Sequence, residues 1–326
     1  MVRIITDSAA DFEPWELEKL DIRCIPLTVI FGDKEYQENV NLSKDEFYRL
    51  LEENEGAPKT AQASPAVLME QFHQAKEAGE EAVYITLSSE LSGTYQSAVM
   101  AKEMAGGPGS FVVDSKNATG GQRLLVEQAV RLRDAGKSAA EIAAGVEAIR
   151  DRIVLYACID TLEYLYRGGR ISHTAYKIGT MAQVKPIIRV SKEGRVEVPS
   201  KALGMRKGMD FLCKRLEEQR PSPEHNLYVM YTADRSNGET LAQRVREMGY
   251  EVPPERIVNV GAAIGTHVGP NACGLVYVEC GVWSEALPSR TERKTPDLNY
   301  IRSSSVLEKP GRMFCFSTEN DRFRET

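Results

Sequence analysis

Four stretches of the chain share one pattern, in which a short β-branched apolar run ends in small polar residues and then gives way to apolar positions three and four apart. They are VRIITDSAADF from Val2, AVYITLSSELSGTYQSA from Ala82, SFVVDSKNATGGQRLLVEQAV from Ser110 and NLYVMYTADRSNGETLAQRV from Asn226. A run too short for a helix followed by a helical period reads as strand then helix. Repetition of that unit predicts an α/β fold with a largely parallel sheet covered by helices on both faces. Ligands are then expected beyond the carboxyl ends of the strands, where the Ser, Thr, Asp and Gly clusters fall.

The helices carry their own start signals. Ser43 with Glu46 and Ser138 with Glu141 have capping-box spacing, and Ser64 before Pro65 opens a helix whose buried stripe is Leu68, Phe72 and Ala75. In the helix begun by Ser138, the residues Ile142, Val146, Ile149 and Ile153 form a core face. Ala98, Ala101 and Ala105 predict close packing along a helix from about Thr94 to Met104. Two hairpins break the alternation, TVIFGDKEYQ turning at Gly32 and Asp33 and PIIRVSKEGRVEVP turning near Gly194. The expected organisation is an N-terminal α/β lobe over 1–160 and a second, smaller α/β lobe over 161–285. From 286 to 326 the periodicity is lost and charge, Ser and Thr accumulate, so a flexible or non-native tail is expected there.

At 326 residues the chain is long enough for two lobes sharing a cleft. Its 41 basic and 47 acidic residues give a net charge of −6, a poor match to a protein that must neutralise many phosphates, so nucleic acid is not an expected partner. No apolar run approaches the roughly 18 residues of a membrane helix, and Asp7 and Asp11 interrupt the start before a signal core could form, which predicts a cytoplasmic protein. Cys24, Cys158, Cys213, Cys273, Cys280 and Cys315 are scattered, without CxxC or paired histidines. Free thiols rather than zinc or a disulfide framework are expected.

Candidate chemistry gathers in three places. LSSELSGTYQSA, residues 87–98, places Ser88, Ser89, Ser92 and Thr94 at a helix start with the lone acid Glu90. Unsatisfied N–H groups and the positive end of the helix dipole let such hydroxyls hold an anion without a cationic side chain, although capping is the commoner task of a serine there and is slightly favoured for Ser92 from this loop alone. VGAAIGTHVGPNACG, residues 260–274, surrounds His267 with glycines, so that backbone can approach a ligand and an imidazole can donate to an anion. A lone histidine in a turn is more often a structural hydrogen-bonder. YLYRGGRIS sets Gly168 and Gly169 between Arg167 and Arg170, which a plain turn with surface arginines explains nearly as well. Neither GxGxxG nor a P-loop is present.

ITDSAADF, KTAQASP, SSELSGTYQSA, VVDSKNATGG, YLYRGGRIS, VKPII and GAAIGTHVGP occur in that order across about residues 2 to 283. Together they resemble the DegV family of bacterial fatty-acid-binding proteins. The resemblance implies two α/β lobes with a long-chain fatty acid in a tunnel between them and no cofactor, metal or catalytic residue. It further implies that the chain presents the acyl carboxylate to a separate fatty acid kinase, which makes the acyl phosphate. Carried over by motif, Thr60, Ser92 and His267 hold the carboxylate, with Gly93, Thr94 and Gly265 supporting them. The chain departs from the family pattern at Thr119 and Arg123, where Ser and Gly are usual. It departs again in KALGMRKG, where Leu203 and Met205 replace arginines of a K-x-R-x-R segment; Lys201, Arg206 and Lys207 remain for kinase docking, centred on Arg206.

Two other readings compete. A serine hydrolase would use Ser92, His267 and an acid such as Asp7 or Asp114, although no GxSxG elbow exists. A sensor of a small phospho-ligand would use the same helix terminus.

Overall fold

The computed structural model describes residues 1–54, 56–178 and 184–281. Its strands in chain order are β1 (Val2–Asp7), β2 (Ile22–Ile25), β3 (Thr28–Phe31), β4 (Lys34–Gln37), β5 (Lys59–Ala61), β6 (Glu81–Thr86), β7 (Ser110–Asp114), β8 (Ile153–Cys158), β9 (Val184–Val190), β10 (Val196–Leu203), β11 (Tyr228–Tyr231), β12 (Ile257–Asn259) and β13 (Cys273–Val278). The helices are α1 (Pro14–Lys19), α2 (Lys44–Glu53), α3 (Pro65–Glu77), α4 (Thr94–Ala105), α5 (Thr119–Asp134), α6 (Ala139–Arg150), α7 (Glu163–Arg167), α8 (His173–Ile178), α9 (Gly204–Glu218), α10 (Arg235–Glu247) and α11 (Ala262–Val268).

Three of the four repeated stretches supply β1, β6 and β7 of a parallel sheet ordered β2-β1-β6-β7. Ile4, Ile5, Val83, Tyr84 and Ile85 are fully buried there, because a parallel sheet is covered on both faces. The fourth stretch supplies β11 of a second, six-stranded sheet ordered β10-β9-β8-β13-β11-β12, in which only β11 and β12 run parallel. The protein is therefore mixed α/β, with its second sheet the wider. A small antiparallel sheet, β4-β3-β5, contains the first hairpin, Phe31 facing Lys34 across Gly32 and Asp33. One core cluster joins Ile4, Val83 and Val113 of the first sheet to Leu155, Met230 and Val276 of the second through Leu124 and Val126 of α5 and Ile142 and Val146 of α6.

Most local expectations are met, with instructive exceptions. Ser138 and Glu141 form the full capping box, and Leu68, Phe72 and Ala75 are buried on α3. Ser43 accepts the Glu46 N–H at 3.2 Å, but the Glu46 carboxylate turns toward Arg49 instead of returning the bond. Ser64 stands at the cap position of α3 without a side-chain bond, so Pro65 at the first turn marks that start. Ile153 is not on α6, which ends at Arg150; it opens β8. The apolar stripe continues across the turn because strand and helix face the same core. The tail expected over 286–326, with Cys315, lies outside the described residues. Among the described residues no helix is long and apolar enough to cross a membrane.

Candidate functional site

Thr60 belongs to β5, a strand too short for sequence patterning to show, and is held opposite Val29 of β3. Ser92 lies in the loop between β6 and α4, and His267 in the last turn of α11, a helix rather than the expected turn. All three line one mostly apolar cavity of about 80 Å³. Thr60 Oγ1 and His267 Nε2 are 3.0 Å apart. Ser92 Oγ accepts the Thr94 N–H at 3.2 Å and lies 2.9 Å from Thr94 Oγ1. Ser92 thus serves the first turn of α4 and the cavity at once. Thr94 Oγ1 also accepts the Ala63 N–H at 3.3 Å, tying α4 to the segment after β5, while Gly93 occupies the cap position.

The serine loop is fixed from both sides. Ser89 donates to Asp114 at 2.6 Å, Glu90 pairs with Arg195 at 2.7 Å, and Ser88 Oγ donates to the Gly194 carbonyl at 2.8 Å. Gly194, at φ +91°, sits at the tip of the β9–β10 hairpin, where a Cβ would lie 2.3 Å from Ser88 Oγ. Only glycine combines that left-handed backbone with so close an approach. The hairpin in turn contributes Ile188, Val190 and Val196 to the cavity wall.

Two buried carboxylates hold the start of α11, and each is in turn held by a hydroxyl. Gly261 N–H donates to Asp11 Oδ1 at 2.8 Å and Ala263 N–H to Glu38 Oε1 at 3.3 Å; Ser8 donates to Glu38 at 2.6 Å and Thr119 to Asp11. Burial pushes Asp11 up to about 6, and burial together with the Asp11 charge pushes Glu38 up to about 7. Farther along α11, a Cβ on Gly265 would stand 2.7 Å from the Phe47 ring and 2.8 Å from the Tyr48 hydroxyl, so the small residue lets α11 lie on α2.

From sequence, Arg170 fits a site group or a surface arginine of a plain turn nearly equally well. It is half-buried on the cavity wall, donating to the Leu91 carbonyl at 3.0 and 2.8 Å and to the Gly168 carbonyl at 2.5 Å. Arg167 is exposed and pairs with Glu163. The two glycines have different causes: a Cβ on Gly168 would fall 2.1 Å from His267 Nδ1, whereas Gly169 takes the left-handed φ of +72° in the turn after α7. Desolvation, and secondarily the Arg170 charge, lowers His267 to about 4, so its imidazole is neutral at pH 7. Nδ1 is buried without a hydrogen-bond partner among the described residues. The cavity is therefore lined by three hydroxyls, those of Thr60, Ser92 and Thr119, the last donating to Asp11, together with a neutral imidazole and a guanidinium. No carboxylate is among the described residues that line it.

The hydrolase arrangement is not assembled. Asp7 is buried, accepting from Leu87 N–H at 2.9 Å and Gln122 at 3.0 Å, and Asp114 serves Ser89 and the Lys116 N–H. Neither reaches His267, and the imidazole bonds Thr60 rather than Ser92. No group of three or more His, Cys, Asp or Glu that could hold a metal occurs among the described residues.

The departures at positions 119 and 123 are accommodated by neighbours. The Arg123 guanidinium is buried between the rings of Phe12 and Tyr228, at 4.3 and 4.8 Å from their centroids, and pairs with Glu16 and Glu127. Arg206 and Lys207 are exposed on the first turn of α9. Beside them Leu203 is 66% exposed, whereas Met205 turns inward to 3.7 Å from the Cys273 thiol.

A family model described as "Uncharacterised protein, DegV family" matches residues 1–280. A DegV domain-containing protein of Caldanaerobacter subterraneus subsp. tengcongensis is 34% identical over 281 residues, covering 85% of this chain and 99% of its own length. Another, from Clostridium perfringens, is 34% identical over 282 residues, covering 84% and 96%. Among solved structures, a fatty-acid-binding DegV family protein of Thermus thermophilus superposes with a TM-score of 0.77 at 28% identity, covering 86% of this chain and 99% of that one. A stearic-acid-binding protein of Eubacterium ventriosum does so with a TM-score of 0.75 at 27% identity, covering 86% and 98%.

Proposed function

The chain belongs to the DegV family, and from that premise we propose that it is a carrier which binds a long-chain fatty acid and holds its carboxylate with Thr60, Ser92 and His267. The observation that carries the reading is the mostly apolar cavity whose polar wall groups are hydroxyls, a neutral imidazole and Arg170, with no acid among its described lining. Such a cavity matches an apolar chain ending in an anion better than it matches a phosphorylated small molecule, whose polar body would leave Leu27, Leu87, Leu155 and Ile188 facing polar atoms.

The proton positions follow from satisfaction of polar atoms. A buried N–H left without an acceptor is rarer than an under-used acceptor, which favours the His267 tautomer that carries its proton on Nε2 and donates to Thr60 Oγ1. The Thr60 hydrogen is then free for a carboxylate. Thr94 donating its hydroxyl to Ser92 likewise frees the Ser92 hydrogen. Binding needs these donors, not a nucleophile, which accounts for serines without a catalytic base. The volume of about 80 Å³ lies well below the roughly 300–1,000 Å³ typical of ligand pockets, so uptake of an acyl chain parts the walls.

The same reading includes a partner, a fatty acid kinase that converts the presented carboxylate to an acyl phosphate. With Leu203 and Met205 in place of arginines, docking centres on Arg206, with Lys207 and Lys201 nearby; electrostatic complementarity of this sort governs the speed and fidelity of encounter. Denaturing extraction of the purified protein, followed by mass spectrometry, is expected to yield about one long-chain fatty acid per chain. Recovery of none, together with no binding of added palmitate or oleate, would overturn the reading. For the partner, acyl-phosphate formation with the kinase of the same organism is expected, and to fall in Arg206→Ala and Lys207→Ala.

A further inference from the structure

The mostly apolar cavity shares two wall residues, Leu155 and Val190, with a second pocket of about 250 Å³. The second pocket arises from strand geometry. β8 is paired to β9 only from Tyr156 to Cys158, opposite Arg189 to Ile187. Among the described residues, that edge of β8 has no partner from Ile153 to Leu155, because β9 leaves at Val190 to turn toward β10. The gap is lined by Ile153, Leu155 and Val190 within and by Asp151, Lys192 and Gln219 among its polar groups. Thr60, Ser92, Arg170 and His267 line only the first cavity.

Resting on the fatty-acid reading above, we infer that Leu155 and Val190 are the end stop of the acyl chain and set the longest chain the protein accepts. Leu155 is 7% exposed and belongs to the main core cluster, with Val190 packed against that cluster. The pair therefore forms an apolar partition between a mostly apolar cavity and a polar-rimmed space. A methyl terminus pressed against this partition keeps its dispersion contacts. A longer chain would push its last carbons among charged groups and water, forfeiting about fourfold in affinity for each methylene left unburied.

The test compares saturated fatty acids from C12 to C22 by displacement of a fluorescent fatty acid, in the full chain and in Leu155→Ala and Val190→Ala, with thermal melting to establish folding. Shortening either side chain joins the two spaces, so the optimum is expected to move toward longer chains, with about tenfold tighter C20 relative to C16 than in wild type. A folded variant with the wild-type length profile would overturn the inference. Independently of any substitution, a fatty acid carrying a diazirine at its terminal carbon is expected to label wild type at Leu155 or at Val190. Labelling confined elsewhere would overturn it. Failure of wild type to bind any fatty acid would instead defeat the underlying carrier reading, so the two failures are distinguishable.

Discussion

Thr60 and His267 meet at 3.0 Å although 207 residues separate them in the chain. Thr60 is placed by its register against β3, and His267 by a helix pinned through Asp11 and Glu38 at its start and packed at Gly265 onto α2. Each partner is fixed by contacts that do not involve the other, so their hydrogen bond is preorganised for a ligand.

Thr60→Val, Ser92→Ala and His267→Ala should each weaken fatty acid binding while leaving the fold intact. Thr60→Val and Ser92→Ala each remove a hydrogen bond to a charged group, worth about 1.5–3 kcal/mol, or about 10- to 150-fold in affinity, and His267→Ala removes the donor that turns the Thr60 hydrogen toward the carboxylate. Displacement of a fluorescent fatty acid measures it. Unchanged affinity in Ser92→Ala and His267→Ala would leave those residues with capping and structural roles alone.

Gly168→Ala tests the packing behind the imidazole. Gly168 has ordinary helical backbone angles, so the added methyl acts through its 2.1 Å approach to His267 Nδ1 and not through backbone strain. Melting should show a loss of about 1–3 kcal/mol, the usual cost of overpacking, and fatty acid binding should weaken with it.

His267 and Glu38 should shift stability with pH in opposite senses. His267 falls from 6.5 to about 4 on folding, so the unfolded chain binds the extra proton and stability drops as pH falls through that window. His267→Gln should flatten this loss, by at most about 3 kcal/mol. Glu38 rises from 4.5 to about 7; its contribution is fully present below 4.5 and is lost as pH climbs through 7. Urea midpoints from pH 4 to 8 should therefore show Glu38→Gln gaining on wild type toward pH 8.

Arg123→Ala should destabilise the protein by about 3–5 kcal/mol, because it strands Glu16 and Glu127, both largely buried, without their cation and removes the guanidinium between Phe12 and Tyr228. Urea unfolding measures it. A loss under 1 kcal/mol would show that water replaces the ion pairs.

Many of the strands and helices, though not β5 or α11, were legible in the sequence because each depends on residues near in the chain. The apolar run at Val83 to Ile85, the alternation around Gly32, the box at Ser138 and the stripe through Leu68 and Phe72 are fixed by a local period that any isolated segment would share. The motifs carrying Thr60, Ser92 and His267 were legible as well, through resemblance. The resemblance also implied that they meet at one carboxylate, but not the contacts that bring them there. Arg170 could be read as a site group or a surface arginine because nothing near it in sequence reveals that Leu91, 79 residues away, will accept its protons. Ile153 passed for a helical position because a core cannot be told from either side of a turn by spacing alone. The partition at Leu155 and Val190 was invisible for a similar reason: an apolar residue lining a cavity has the same composition and period as one filling a core. Only the point at which β9 parts from β8, set by packing across distant strands, decides which of the two it becomes.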